Sequence, residues 1–367
     1  MPRRRNSAND THQGASAPPA SLKQLAEHLQ LSPATVSLVL NASRGSHAIP
    51  KHTKDRVLAA AKKFKYRANF LARSLRQQRS FTIGLLVPEI SEGYASLVMA
   101  GIEELLVREG YFYFVASHRH KADLIEEYPK LLLERSVEAL IAIDTEVREN
   151  LPVPVVVVSG HSKIKGITNV QLDHTKAAWL ALKHLYDLGH REIAYIKGQS
   201  FSSDTEIRWK SIESAAKRLN LKINKTLVVQ LEGESSSPIL GYDVACKLLA
   251  PGVHFSALFA FNDISAIGAI RAFGDAGIRV PDDISVMGFD DIQSAAFQNP
   301  GLTTVRQPLR KMGEIAAEIA VKRINGTHCA DVVLVKPELV VRESTQHVSE
   351  SKPHANVKPP RLASIGT

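Results

Sequence analysis

Several polar side chains follow short apolar runs in this 367-residue chain. Asn262 and Asp263 end one such run, and Tyr94 comes shortly after the first of them. The carboxyl ends of strands are the usual place for ligands in open α/β sheets, and a tyrosine ring can stack on a ligand ring. These residue types favour binding of a small polar molecule, with structural contacts as the alternative for each of them.

Motifs for catalysis and metal binding are missing from the sequence. It contains no G-x-G-x-x-G fingerprint, no P-loop, no nucleophile elbow and no regular spacing of metal ligands. Cys246 and Cys329 can form neither a disulfide framework nor a four-ligand zinc site. His118, His120 and His161 are interpreted as solvated loop histidines. We therefore expect no enzyme activity, no metal and no cofactor.

From Phe81 onward, short apolar runs alternate with amphipathic segments of helical length. The strand candidates are Phe81–Val87, Tyr111–Ala116, Ala139–Ile143, Val155–Val158, Glu192–Ile196, Thr226–Gln230, Ala257–Ala260 and Ile284–Met287. The helix candidates are Ser96–Glu109, Lys121–Arg135, Thr175–Leu188, Thr205–Leu219, Ile239–Leu249 and Ile264–Ala276. This alternation predicts parallel sheets with right-handed crossovers. Periodicity alone fits either one barrel or two doubly wound sheets.

Charge divides the chain into two parts. Residues 1–80 carry 15 Lys and Arg against 3 Asp and Glu, whereas residues 81–344 have a balance of −5 within a total of +9. A basic segment ahead of a mildly acidic body indicates a polyanionic partner for the first part only. Residues 1–20 and 345–367 are polar and aperiodic, and we expect them to be disordered.

Residues 21–67 have the pattern of three short helices. The runs 21–29 and 32–40 are separated by a tight break, and Ser32 is a good N-cap for the second. The third run covers 51–64. Its predicted inward side chains are Val57, Leu58, Ala61 and Phe64. The predicted outward side chains of the second run are Pro33, Ala34, Ser37 and Leu38. Such an arrangement predicts a helix-turn-helix, whose second helix fits the major groove, with a generic three-helix bundle as the alternative.

A series of short motifs follows in order along the chain. They are Ser21–Glu27, Leu31–Asn41, Thr53–Val57, Tyr66–Asn69, His184–Leu185, Gly189–Arg191, Asn262–Asp263, Val280–Ser285, Gly288–Asp291 and Leu302–Val305. Together they resemble the lactose/galactose repressor (LacI/GalR) family over residues 21–344. The resemblance implies an N-terminal all-α helix-turn-helix domain and an α/β core of two doubly wound lobes, like those of periplasmic sugar-binding proteins. The implied lobes are 81–188 with 293–326, and 189–292 with 327–344.

The resemblance implies that the basic segment reads double-stranded DNA. Family positions that contact base edges fall on Pro33, Ala34 and Leu38, and Leu38 departs from the polar residue or arginine of many relatives. Apolar side chains can contact the thymine methyl group but cannot pair with guanine. The further DNA-binding candidates are Ser32, Thr35, Ser37, Asn41 and His47. For the hydroxyls the alternative is helix capping or solvation, and for His47 it is a solvated loop.

Residues 68–80 resemble the family's hinge helix and linker. Within it, Asn69–Arg76 is basic and helix-compatible, but these residues are too few for a helix that is stable alone in water. Its DNA-binding candidates are Asn69, Arg73, Leu75 and Arg76. The resemblance implies that the segment folds on DNA, with Leu75 wedging open a base step in the minor groove. A plain flexible linker is the alternative.

An effector between the lobes is also implied. Its candidate residues are Tyr94, Asp173, Arg208, Asn262, Asp263 and Asp290. An arginine fork opposite carboxylates suits the paired hydroxyls of a sugar. Several relatives place an aromatic residue in the stretch that is 232–237 here, which has none. Phe201 and Trp209 are near in sequence but not at that position, so we expect a sugar or sugar derivative of unspecified class.

The expected protein is a cytoplasmic homodimer that represses transcription from a pseudo-palindromic operator under control of its effector. Residues 345–367 contain one leucine and no heptad, so no tetramer is expected. No apolar run reaches the roughly 18 residues of a membrane span, and the N-terminus has no apolar segment of a signal peptide. The alternative is a transport-type solute-binding protein, which would not need the basic helix-turn-helix.

Overall fold

The structure, a computed structural model, describes residues 21–40, 44–66, 79–90, 93–234, 236–250 and 252–348. The chain divides into two compact units between Arg79 and Ser80. The expectations for the two polar ends, 1–20 and 349–367, lie outside the described residues.

The first unit is a bundle of short helices. They are α1 (Leu22–Leu29), α2 (Pro33–Leu40), a 3₁₀ helix (Arg44–Ala48) and α3 (Lys51–Lys63). Ser21 and Gln24 form a capping box at the start of α1. The Ser32 hydroxyl accepts a hydrogen bond from the Thr35 backbone N–H at 3.1 Å, as expected of an N-cap for α2.

Burial in this bundle differs from the predicted pattern at two positions. Leu58, predicted to face inward, is 53% exposed, and Ala60 is buried instead. One residue is a rotation of about 100° on a helix, so the side chain after buried Val57 points away from the bundle. Ser37, predicted to face outward, is only 8% exposed because α2 is contacted by α1, α3 and the 3₁₀ helix and so has a wide buried face.

The second unit contains, among its described residues, two six-stranded sheets. Their strand orders are β11-β5-β4-β3-β1-β2 and β12-β10-β9-β8-β6-β7. The strands are β1 (Thr82–Val87), β2 (Phe112–Ser117), β3 (Ala139–Ile143), β4 (Val155–Val158), β5 (Thr168–Leu172), β6 (Ile193–Lys197), β7 (Val228–Gln230), β8 (Ala257–Phe259), β9 (Ser285–Asp290), β10 (Thr303–Arg306), β11 (Val332–Val335) and β12 (Glu338–Val340). Two doubly wound lobes are thereby confirmed, and the single barrel is excluded.

Helices cover both sheets. They are α4 (Tyr94–Arg108), α5 (Ala122–Glu134), α6 (His174–Asp187), α7 (Ser203–Arg218), α8 (Pro238–Leu248), α9 (Asp263–Asp275), α10 (Gln293–Ala296) and α11 (Leu309–Ile324). The pairs of β10 with β9 and of β11 with β5 are parallel, whereas β10 and β12 are antiparallel. No described helix is long and apolar enough to cross a membrane.

The division between the lobes differs from the expected one in three segments. β10 belongs to the second sheet and β11 to the first, the reverse of the prediction. α6 packs against α7 of the second lobe rather than against the first lobe. The chain crosses between lobes directly after β5, β10 and β11, at strand ends where neither composition nor periodicity changes.

Two close helix crossings stabilise the lobes. A Cβ atom on Gly101 would lie 1.9 Å from the Arg310 carbonyl oxygen, where α4 crosses α11. A Cβ atom on Gly268 would lie 1.9 Å from the Pro238 carbonyl oxygen, where α8 crosses α9. Only glycine allows backbones to approach this closely. These crossings fix α4 and α9, whose first residues adjoin the strand ends that face the other lobe.

Candidate functional site

A cleft with a cavity volume of about 90 Å³ lies between the two lobes. The first lobe contributes residues after β1 and β3 and at the start of α4, and the second contributes residues after β6 and β8 and at the end of β9. Its side chains include Glu89, Tyr94, His120, Asp144, Gln199, Phe201, Asp204, Arg208, Glu234, Phe261, Asn262 and Asp290. The cleft therefore occupies the carboxyl edges of the sheets, the place where open α/β folds bind ligands.

Arg208 lies on α7 and is only 4% exposed. Its guanidinium donates hydrogen bonds to the Phe261 carbonyl oxygen and to Asp204 Oδ2, the latter at 3.3 Å. It also stacks on the rings of Phe261 and Phe289, with its central carbon 4.3 and 3.8 Å from the ring centroids. Its Nε is buried and has no hydrogen-bond partner among the described residues. The guanidinium is thus held in one orientation at the cleft and retains a donor.

Asp290 ends β9 and lies beside this arginine. Its Oδ1 accepts a hydrogen bond from Gln307 Nε2 at 2.6 Å. Burial raises the pKa of Asp290 to about 7, although Arg208 and Gln307 act in the opposite direction. The raised pKa favours the protonated form of this carboxyl, which can donate as well as accept a hydrogen bond.

Tyr94 and Asn262 also line the cleft, as their positions after strands predicted. The Tyr94 hydroxyl donates to Ser159 Oγ at 2.7 Å, and burial raises its pKa well above the usual value. Asn262 is the N-cap of α9, with its Oδ1 accepting from the Ser265 backbone N–H at 2.9 Å. The ring of Tyr94 and the remaining amide group of Asn262 are available to a ligand.

Asp173 and Asp263, two other predicted effector residues, are not among the cleft-lining side chains. Asp173 caps α6 and accepts from the Lys176 backbone N–H at 2.9 Å. Asp263 is fully buried, where it accepts from the Thr304 hydroxyl at 2.6 Å and from the Ile292 backbone N–H at 2.9 Å. Both side chains therefore make structural hydrogen bonds, which was the alternative to ligand binding in the sequence analysis.

Asp144 is a cleft residue that the sequence reasoning missed. It follows β3 in the first lobe, and its carboxylate accepts hydrogen bonds from Ser202 at 3.3 Å and Ser203 at 3.0 Å at the start of α7 in the second lobe. Burial and the nearby Asp204 raise its pKa to about 7. Its position after an apolar strand was the signal that could have identified it.

An aromatic pair crosses the cleft. The rings of His120, from the first lobe, and Phe201, from the second, have centroids 3.8 Å apart. Phe201 thus gives the cleft an aromatic surface, and residues 232–237 contain no aromatic residue. His118, interpreted above as solvated, is 1% exposed and contacts Thr145 Oγ1 through Nε2 at 2.9 Å. Burial lowers the pKa of His118 to about 4. The solvated interpretation is therefore wrong for His118, and His120 belongs to the cleft.

His161, His174 and Asp204 form a cluster at the inner end of the cleft. Both imidazole Nε2 atoms lie near Asp204 Oδ1, at 2.7 Å for His161 and 3.2 Å for His174. Burial by itself would raise the pKa of Asp204, but the two histidines and Arg208 lower it below its usual range. The interpretation of His161 as a solvated loop residue is thus also wrong.

Some of the side chains predicted to contact DNA lie on the surface of the first unit. Ser32, Pro33, Ala34 and His47 are exposed, whereas Thr35 and Leu38 are half-buried. Buried Ser37 is withdrawn from the surface. The remaining DNA-binding candidates lie outside the described residues and stay predictions: Asn41, Asn69, Arg73, Leu75 and Arg76.

Comparison with known proteins gives the family of this two-unit chain. Residues 182–345 match the periplasmic binding protein-like domain. The HTH-type transcriptional repressor PurR of Histophilus somni is 31% identical over 336 residues, which cover 89% of this chain and 99% of that protein. The chain belongs to the lactose/galactose repressor family. Like its PurR relatives, it is a transcriptional repressor, and these relatives are not enzymes.

Solved structures of the lactose/galactose repressor family have the same fold. The Lac repressor dimer bound to operator and the anti-inducer ONPF superposes with a TM-score of 0.80 at 24% identity, over 90% of this chain and all of that chain. A LacI family transcriptional regulator from Enterococcus faecium with bound ribose has a TM-score of 0.65 at 26% identity, over 73% of this chain and all of that chain.

Proposed function

We propose that this repressor binds a pseudo-palindromic operator as a homodimer and that a neutral sugar or sugar derivative in the cleft controls its affinity for DNA. The observation that carries the effector part is the buried Arg208 fork beside Asp290 and Asn262, in the cleft between the two lobes. Residues of both lobes reach the cleft, so a ligand there has different contacts in each arrangement of the lobes. Such a difference is what a population shift requires.

The charges of the cleft favour a neutral polyhydroxylated ligand. Five carboxylic acids line it, whereas Arg208 is its one permanently charged cation among the described lining residues. The carboxylic acids are Glu89, Asp144, Asp204, Glu234 and Asp290. Adjacent sugar hydroxyls can donate to these oxygens and accept from the guanidinium and the Asn262 amide. A phosphorylated or carboxylated sugar would face net repulsion.

The aromatic side chains support a ring-shaped ligand. Phe201 is 43% exposed at the mouth of the cleft, and Tyr94 presents its ring from the opposite lobe. The apolar face of a pyranose or furanose packs well on such rings because it buries C–H groups while leaving the hydroxyls at the rim. The relative from Enterococcus faecium holds a ribose.

The surfaces of the two units support operator binding by a dimer. Pro33 and Ala34 at the exposed start of α2 offer apolar contacts to thymine methyl groups. In the second unit, Phe112 and Phe114 on the edge strand β2 are 61% and 37% exposed. Apolar side chains at a sheet edge suit a contact with a second copy, and two copies would place two reading helices on one duplex.

Fluorescence anisotropy on duplexes selected from a random pool tests this proposal. The full chain should bind with a steep negative salt slope, and a neutral sugar should change the affinity at least about fivefold. Arg208→Gln should remove the sugar response, whereas Arg218→Gln, on the exposed side of the same helix, should keep it. A response only to sugar phosphates, or an unchanged response in Arg208→Gln, would refute the effector assignment. Selection of no duplex would refute operator binding.

A further inference from the structure

The His161, His174 and Asp204 cluster has a composition and spacing of its own. His161 comes from the loop after β4 in the first lobe, His174 begins α6 and Asp204 begins α7 in the second lobe. One atom of each residue lies within 4.8 Å of the others. Two imidazole nitrogens and one carboxylate oxygen are a common ligand set of Zn²⁺ and of related transition-metal ions.

The distances suit a small cation after minor movement. Metal–ligand bonds of about 2.0–2.1 Å in tetrahedral geometry place neighbouring ligand atoms roughly 3.3 Å apart. Here Asp204 Oδ1 is 3.2 Å from His174 Nε2 and 2.7 Å from His161 Nε2. The contact of His161 with Asp204 has to lengthen, and the His161 side chain, at 15% exposure, is the least buried of the three.

The surroundings of the cluster also fit a metal site. Arg208 donates to Asp204 Oδ2, which leaves Oδ1 for the cation and fixes the carboxylate as second-sphere partners do in metal proteins. His174 is 5% exposed, and its Nδ1 has no hydrogen-bond partner among the described residues. Asp204 lines the cleft, which provides an entry path and an open coordination position.

We propose that His161, His174 and Asp204 bind one transition-metal cation of the Zn²⁺ class. Because the three ligands come from both lobes and from a segment that connects them, the bound cation would hold the lobes together at the inner end of the cleft. This inference does not depend on the identity of the effector. It depends only on the ligand cluster itself.

Isothermal titration of the EDTA-treated full chain with ZnCl₂ tests the proposal, with MgCl₂ as the hard-cation control. One Zn²⁺ should bind per chain, and His161→Asn should weaken binding at least tenfold. His328→Asn, which removes an exposed histidine elsewhere, should leave the affinity unchanged. Co²⁺ should give a visible tetrahedral absorption band that His161→Asn abolishes.

Folding is controlled separately. His161 is half-buried, so its asparagine variant should keep the circular dichroism spectrum of the parent chain, whereas His174→Asn removes a buried ring and serves as a second variant only if it folds. Zn²⁺ should raise the midpoint of thermal unfolding of the parent chain and not that of His161→Asn. Absence of one-to-one Zn²⁺ binding, or equal affinity in the parent and His161→Asn, would overturn the proposal and leave a hydrogen-bonded His–Asp–His cluster.

Discussion

Replacement of Asp144 by asparagine isolates the effect of burying a carboxylate in the cleft. Asparagine has nearly the same shape, keeps an oxygen that accepts from Ser202 and Ser203, and tolerates the left-handed backbone of this residue, whose φ is +42°. It differs mainly in that it cannot ionise. The substitution therefore tests whether the raised pKa of Asp144 destabilises the folded core at neutral pH.

The size and sign of the effect on the free energy of unfolding follow from two pKa values of Asp144, about 7 in the folded chain and 3.8 in the unfolded chain. Each unit corresponds to about 1.4 kcal/mol, so full ionisation costs the folded state at most about 4 kcal/mol. Because the folded state binds the proton more tightly, stability falls as the pH rises from about 4 to about 7. Asp144 is half-buried and adjoins a solvated cleft, where water screens its charge. We therefore expect its ionisation to lower the free energy of unfolding by about 2 kcal/mol rather than by the full limit.

Urea unfolding followed by tryptophan fluorescence measures the effect. Both tryptophans, Trp179 and Trp209, lie in the second unit, so the signal reports on the core alone. At pH 8 Asp144→Asn should be about 2 kcal/mol more stable than the parent, and the difference should vanish only near pH 3, below the pKa of 3.8 that the side chain has without the fold. Asp243→Asn, at an exposed position of α8, should change stability by less than about 0.5 kcal/mol at both pH values. A variant that is less stable than the parent at pH 8, or a pH-independent difference, would refute the reasoning.

Three further substitutions test the packing, the cleft and the DNA-reading helix. Gly268→Ala should destabilise the core by at least about 2 kcal/mol in urea unfolding, because its Cβ collides with a backbone carbonyl, whereas Gly274→Ala, which meets open space on the same helix, should stabilise it by up to about 1 kcal/mol. Comparable effects of the two would contradict the close crossing. Arg208→Met should lower the free energy of unfolding by about 3–5 kcal/mol, because it leaves buried carboxylates without their cation. Arg218→Met, at an exposed position beside Trp179, should lower it by at most about 1 kcal/mol. A loss below about 1 kcal/mol in Arg208→Met would show that Arg208 does not neutralise these carboxylates. Ser32→Ala should lower the stability of the first unit by about 1 kcal/mol through loss of the α2 cap, as measured by the thermal transition in circular dichroism, and an unchanged transition would mean that the cap is dispensable.

Much of the fold could be predicted from local patterns. The eight strands expected from apolar runs are present. β1, β3, β4, β8 and β9 are buried along their whole length, and strands covered on both faces need apolar residues at nearly every position. β5 and β11 escaped this criterion for different reasons. β5 contains Thr168, Asn169 and Gln171, and β11 lies at a sheet edge with alternately exposed side chains. β10 contains Thr303, Thr304 and Arg306, and β12 begins with Glu338, so neither forms an apolar run.

Position in the sequence predicted only some of the residues that line the cleft. Tyr94, Asn262, Arg208 and Asp290 are brought together, as expected for residues at strand ends and family positions. Asp263 is next to Asn262 in sequence, yet its carboxylate binds Thr304 and the Ile292 backbone instead of facing the cleft. Successive residues at a helix start point in different directions, and the neighbours that decide each role come from distant parts of the chain.

The sequence by itself determined the two-part charge, the helix-turn-helix pattern, the alternation of strands and helices and the family, because all of these depend on local composition and on motif order. The tertiary structure decided the exchange of β10 and β11 between the sheets, the inter-lobe contacts of Asp144 and the stacking of His120 on Phe201. It also decided the meeting of His161, His174 and Asp204. Those features join residues as distant in sequence as His120 and Phe201 or Asn169 and Val332, and no local pattern encodes which surfaces meet when the chain crosses between lobes.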